Sequence, residues 1–240
     1  MNKASHSAQF PPQLPPWKAW RNALAITVFG CVLFGFGCFV LLGGELPRRM
    51  KLYDAAIWLQ IGFSTMAAVI FVFIVVRQRR CRSSLAELGW GRPTTRSALA
   101  LSVILGAAYL TGAYFAARYV LPHTDVTRFT WARLALAPLG VFLAVAEETM
   151  MRGLFMTELQ RGCVPTWLQI LASGFCSALY HSFQNPTLSG FLPSFVLFSL
   201  HAGLYVLGKR SLTPVIVAHS IYHIFGEPYL LMMVMATMTY

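Results

Sequence analysis

Charge is scarce in this sequence. Only 11% of its 240 residues are charged, where a soluble domain carries about 25%, so too little polar material remains to cover a water-facing surface. Acidic side chains are rarer still, with 8 Asp and Glu against 19 Lys and Arg. Cysteine is sparse as well. The five cysteines (Cys31, Cys38, Cys81, Cys163 and Cys176) show no CxxC spacing, which argues against a zinc ribbon or a disulfide framework and leaves them as free thiols, mostly apolar filler. No internal repeat is evident. The start does not read as a cleavable signal peptide, because a polar stretch with Pro11, Pro12, Pro15 and Pro16 precedes an apolar run too long for a signal core.

What is abundant is apolar sequence, 57% of the chain, in runs near 20 residues that suit a bilayer. The runs fall at about 20–44, 54–76, 97–121, 131–157, 165–184, 191–207 and from 212 onward, and the stretch from Tyr229 to Tyr240 reads as a partial helix. The expected fold is therefore all-α, a multi-pass transmembrane bundle of about 7–8 helices. Residues 1–19 form a cytoplasmic tail, 20–79 two N-terminal transmembrane helices, and 80–240 a membrane core. The net charge of +11 is no nucleic-acid signature, since the basic residues lie between hydrophobic runs. The partner they imply is the lipid bilayer. With the N-terminus in the cytoplasm, inside segments hold twelve Lys and Arg, and outside segments six (Arg48, Arg49, Lys51, Arg118, Arg128 and Arg133). That asymmetry favours the N-inside orientation.

Against this background two acidic residues stand out. Glu147 and Glu148 follow an apolar stretch from Leu139 to Ala146, and a charge at bilayer depth costs several kcal/mol. Arg152 lies four residues after Glu148, on the same helical face, and can pair with it. Glu147 is turned about 100° away. One carboxylate can be held by arginine while the other faces a cavity. A purely structural ion pair would leave one carboxylate over.

Four histidines also lie in apolar runs: His181, His201, His219 and His223. His219 and His223 share a helix face at i, i+4. His201 by itself reads as a hydrogen bond to a neighbouring helix. The acidic pair with the other three reads as a buried site that handles water and protons. A carboxylate in a low-dielectric cavity can take a proton from water and return it. A histidine can orient the same water, and His219 and His223 could donate to the oxyanion. The same residues could instead bind zinc, with Glu147, His219 and His223 as ligands. Composition alone leaves both mechanisms open.

The segment Glu147-Glu148-Thr-Met-Met-Arg152-Gly153 matches an EExxxR motif, Ser211 to His219 is similar to the stretch that leads to a last catalytic histidine, and Leu85-Ala-Glu-Leu-Gly89 is similar to an element of the basic loop. In these respects residues 80–226 resemble the CAAX-protease and bacteriocin-processing family of glutamic intramembrane proteases. The resemblance implies Glu147 as water-activating base, Glu148 and Arg152 as supporting residues, His181 assisting the water, and His219 at the oxyanion, with no cofactor. It implies a protein or peptide substrate with a membrane-associated C-terminal region, and a setting in the bacterial inner membrane. Two positions depart from the family pattern: Ser177 stands where phenylalanine is expected, and His223 where asparagine is common. Alternatives that stay open are a zinc-dependent membrane metalloprotease, a sortase-like processor of C-terminal membrane tails, a non-catalytic bacteriocin-immunity or assembly protein, and a proton-coupled transporter. Helix counting raises one difficulty. It sets His181 late in one span and His219 early in another, so the two do not come level.

Overall fold

Each apolar run is a helix in the computed structural model, which describes residues 13–43, 51–183 and 187–238. Most of the expected N-terminal tail and the basic loop at Arg48 and Arg49 lie outside the described residues. The helices are α1 (Pro16–Gly43), α2 (Leu52–Arg80), α3 (Arg96–Val120), α4 (Trp131–Arg161), α5 (Thr166–His181), α6 (Leu188–Leu207), α7 (Thr213–Gly226) and α8 (Tyr229–Met238). A short 3₁₀ turn, Leu85–Leu88, lies between α2 and α3. Among the described residues there is no strand. Five helices, α1 to α4 and α6, are long and apolar enough to cross a membrane. The protein is an all-α, multi-pass membrane protein.

Local chemistry sets the helix starts. Thr95, Thr130 and Thr187 each accept the first free backbone N–H through Oγ1, from Ala98, Arg133 and Gly190, as N-cap residues do. Pro214 sits in the first turn of α7, where a missing N–H costs nothing.

The short helices resolve the difficulty of level. α5 has 16 residues and α7 has 14, or about 24 and 21 Å at the α-helical rise, against a hydrocarbon core near 30 Å. A helix that ends early leaves its last residue within the membrane thickness. His181, the last residue of α5, therefore reaches the depth of His219, midway along α7.

α4 is not a regular helix. Immediately after Glu148 it widens into a π-helical turn, Thr149–Phe155, then returns to α geometry to Arg161. Such turns often mark functional sites. All seven π-turn residues are buried. The 3₁₀ turn docks beside it. Gly89 has φ of 103°, and a Cβ there would meet the Arg210 carbonyl oxygen at 2.4 Å. Only glycine fits that approach. Leu212 N donates to Gly89 O at 3.2 Å and Tyr205 Oη to Leu88 O at 3.3 Å. The Leu85–Gly89 element is thus a wedge that ties the α6–α7 turn to α4.

At the same end, Glu158 of α4 is buried among Arg77, Arg161 and Asn22, at 2.8, 2.9 and 2.7 Å. Arg161 also reaches Glu87 at 2.8 Å. One carboxylate thereby joins α1, α2 and α4. Toward the other end Arg133 is buried, donates to Tyr114 Oη at 2.7 Å and to the Phe225 carbonyl, and stacks on Tyr229. These buried charged groups are tied in pairs or networks, as burial requires.

Candidate active site

The eight helices enclose a cavity of about 410 Å³. Its wall includes Phe34 of α1, Gln60 of α2, Glu147 of α4, His181 of α5, and His219 and His223 of α7. α1 and α2, which contribute nothing to the sequence resemblance, still line the chamber that the motif residues face.

Glu148 is the fixed member of the acidic pair. Its side chain is fully buried, and its Oε2 lies 3.2 Å from Arg152 Nε. That contact is an ion pair, since its angle falls outside hydrogen-bond geometry. Oε1 accepts from His201 Nδ1 at 3.0 Å and from His219 Nδ1 at 2.9 Å. Arg152 is further held by Ser177 Oγ at 3.3 Å, by the Phe198 carbonyl at 2.8 Å, and by the Phe198 ring 5.2 Å beneath it. Glu148 and Arg152 together fasten α4, α5, α6 and α7.

Glu147 faces the other way. Among the described residues no hydrogen bond engages its carboxylate in the way that Glu148 is engaged. Its Oε2 lies 3.7 Å from His181 Nε2 and 3.9 Å from His219 Nε2. Both gaps exceed a direct hydrogen bond and lie within the reach of one bridging water.

The hydrogen bonds fix the ring protons. Nδ1 of His181 lies 2.9 Å from the Ser177 carbonyl, which can only accept, so Nδ1 carries the proton and Nε2 offers a lone pair toward Glu147. Nδ1 of His219 donates to the Glu148 carboxylate, which leaves His219 Nε2 as the acceptor in a neutral ring. His223 Nε2, 3.2 Å away, is then the donor of the pair. Nδ1 of His223 turns to Glu227 Oε1 at 3.6 Å.

Each residue read from the sequence is accounted for. Glu147, His181, His219 and His223 converge on the cavity, and Glu148 and Arg152 stand behind them. The departure at Ser177 is compensated. The hydroxyl meets Arg152, and aromatic rings from elsewhere pack on His181, with Phe198 at 4.5 Å and Phe34 at 5.9 Å between centroids. His201 does make the hydrogen bond to a neighbouring helix that a lone membrane histidine suggests. Its partner is Glu148, which brings it into the site. Gln60 and Glu227 also line the cavity. Glu227 could have been flagged as one of only eight acids, whereas a neutral glutamine in an apolar helix gives no comparable signal.

A cation could be held by carboxylate and imidazole. Among the described residues, the three side chains whose ligating atoms lie within 4.8 Å of one another are Glu148, His201 and His219, not the expected set of Glu147, His219 and His223. In that group Glu148 is already paired with a guanidinium, and both imidazoles direct Nδ1 protons at the same oxygen. A divalent ion would have to displace these donors and sit beside Arg152. The donor set fits zinc poorly.

The fold and site thus define a membrane-embedded helical protein with one locked and one open carboxylate among imidazoles. Residues 129–225 match the family model described as type II CAAX prenyl endopeptidase, Rce1-like. No curated protein and no solved structure matches the chain. The matched segment runs from the start of α4 almost to the end of α7. It carries the acidic pair and all four site histidines, so the part of the chain that is similar to a CAAX-type membrane protease is the part that builds the site.

Proposed function

We propose that this protein is an intramembrane endopeptidase that hydrolyses a peptide bond near the membrane end of a protein substrate by a glutamate- and histidine-activated water. The observation that carries this reading is the division of labour within the acidic pair. Glu148 is saturated by Arg152, His201 and His219, whereas Glu147 is left open to the cavity with two imidazole nitrogens 3.7 and 3.9 Å away. A water between Glu147 and His181 Nε2 meets two acceptors, which orient its lone pair toward a substrate carbonyl carbon. Glu147 takes the proton as the C–O bond forms, then gives it to the leaving amine as the C–N bond breaks. The Nε2–H of His223, which rests on His219 Nε2 at 3.2 Å, is the donor we assign to the oxyanion, turning to it from His219 as the tetrahedral carbon forms. Glu148 and Arg152 hold the histidines in place and do not touch substrate.

The substrate we infer has a membrane-associated C-terminal region, in keeping with a cavity enclosed by the helices of a membrane protein. An isoprenylated C-a-a-X end is the first to test. The basic residues other than Arg152, twelve on one side and six on the other, support an N-terminus in the cytoplasm, and the family resemblance makes a bacterial inner membrane the setting we infer. The test is cleavage of a quenched fluorescent, S-farnesylated C-a-a-X peptide by protein purified into lipid nanodiscs. Turnover that Glu147→Gln abolishes is the expected result. Cleavage restricted to transmembrane-tail peptides would favour the sortase-like reading. Binding of all these peptides without cleavage by wild type would favour a non-catalytic role.

A further inference from the structure

Gln60 sits in the first third of α2, outside the segment that matches the protease family. It is fully buried and lines the cavity. Neither Oε1 nor Nε2 of its carboxamide has a hydrogen-bond partner among the described residues. Buried amides are almost always satisfied, so an amide with both ends free at a cavity wall points to something that enters the cavity. Its neighbours locate it. A Cβ at Gly140 would meet His223 Cβ at 2.5 Å and Gln60 Nε2 at 3.5 Å. Glycine at 140 is what lets α2 and α7 both close on α4 at this level. Gly140 precedes Glu147 by two helical turns on the same face, about 10 Å, and a glutamate side chain leans back toward the helix N-terminus by part of that distance. Gln60 therefore stands about one or two residues of extended chain from the bond that Glu147 would attack.

A carboxamide presents one acceptor and two donors, the complement of the N–H and C=O of one residue in an extended chain. We propose that Gln60 is a substrate-positioning residue, whose carboxamide pairs with the N–H and C=O that one extended substrate residue beside the scissile bond turns to the same side. This rests on the endopeptidase reading above. It gives α2 a role in catalysis, because the amide fixes how far an extended substrate can slide past Glu147. Recognition through main-chain groups also makes this contact independent of the substrate's side chains.

The test uses the nanodisc-embedded protein, the farnesylated peptide, and esters of that peptide in which each backbone N–H flanking the scissile bond is replaced in turn by oxygen. Gln60→Met keeps the volume and removes the polar groups. Its kcat/KM should fall about tenfold or more, mostly through KM, as two hydrogen bonds are lost. Its thermal stability should stay equal to or above wild type, because a buried unpaired amide has been replaced by an apolar group. One ester should slow wild type by severalfold and slow Gln60→Met no further. Gln60→Glu retains the acceptor for the substrate N–H and should remain sensitive to that ester. Should Gln60→Met not fold, the Glu variant decides. Full wild-type kcat/KM in either variant overturns the assignment, as does a loss of stability in place of a rise in KM, an ester effect in Gln60→Met equal to that in wild type, or a Gln60→Glu variant that no longer responds to the ester. Wild type that cleaves no peptide overturns the protease reading itself and this role with it.

Discussion

Two adjacent glutamates should respond to the same substitution in opposite ways. In Glu148→Gln the carboxylate loses its charge and one acceptor oxygen, and the new NH₂ faces a guanidinium or two imidazole N–H groups. Removing one partner of a buried ion pair costs about 3–5 kcal/mol. Arg152 keeps the Phe198 carbonyl at 2.8 Å and the Ser177 hydroxyl at 3.3 Å, which places the loss near the lower end, about 3 kcal/mol. For a chain of this size that corresponds to about 6–12 °C in Tm. Glu147→Gln removes a carboxylate that no arginine holds, so Tm should change by no more than about 2 °C. Its turnover should fall at least about 100-fold, the lower range for a general base. The assay pairs thermal unfolding in nanodiscs with initial rates on the farnesylated peptide. A Glu147→Gln variant that cleaves at the wild-type rate, or a Glu148→Gln variant as stable as wild type, refutes the division of labour.

His223→Asn should retain substantial activity, since an amide can still donate, whereas His223→Ala should lose about 100-fold, the scale of one oxyanion donor. An alanine variant with wild-type rates would reduce His223 to packing. Gly89→Ala should lower Tm in the same unfolding assay, by at least the roughly 1–2 kcal/mol of a left-handed non-glycine residue, because its Cβ would collide with the Arg210 carbonyl. Unchanged stability would mean that the wedge is not tight. Purified protein should retain its activity after chelation and carry no stoichiometric zinc by elemental analysis. Zinc bound at one ion per chain, lost together with activity in chelator, would restore the metalloprotease.

The class of protein was legible in the sequence because burial in a bilayer is a composition-level demand. Every residue of a span must avoid charge, so Glu147, Glu148, Arg152 and the histidines stood out against apolar neighbours. The i, i+4 spacing of Glu148 and Arg152 foretold a pair that the fold makes at 3.2 Å. Local periodicity could not reveal what the tertiary structure decided. The π turn after Glu148 has no sequence signature, since its backbone is stabilised by what closes around it. The early end of α5, which brings His181 to the depth of His219, depends on where the bundle leaves room. His201 and Ser177 acquire their meaning only when α5, α6 and α7 converge on one carboxylate and its arginine. Gln60 is the clearest case. A neutral amide in a helix interior costs little enough to pass unnoticed along the chain. Only the approach of α2 to Gly140 and His223 places it at the cavity. Intrinsic cost marks a residue in one dimension, whereas the partner that offsets the cost is set by which helices meet.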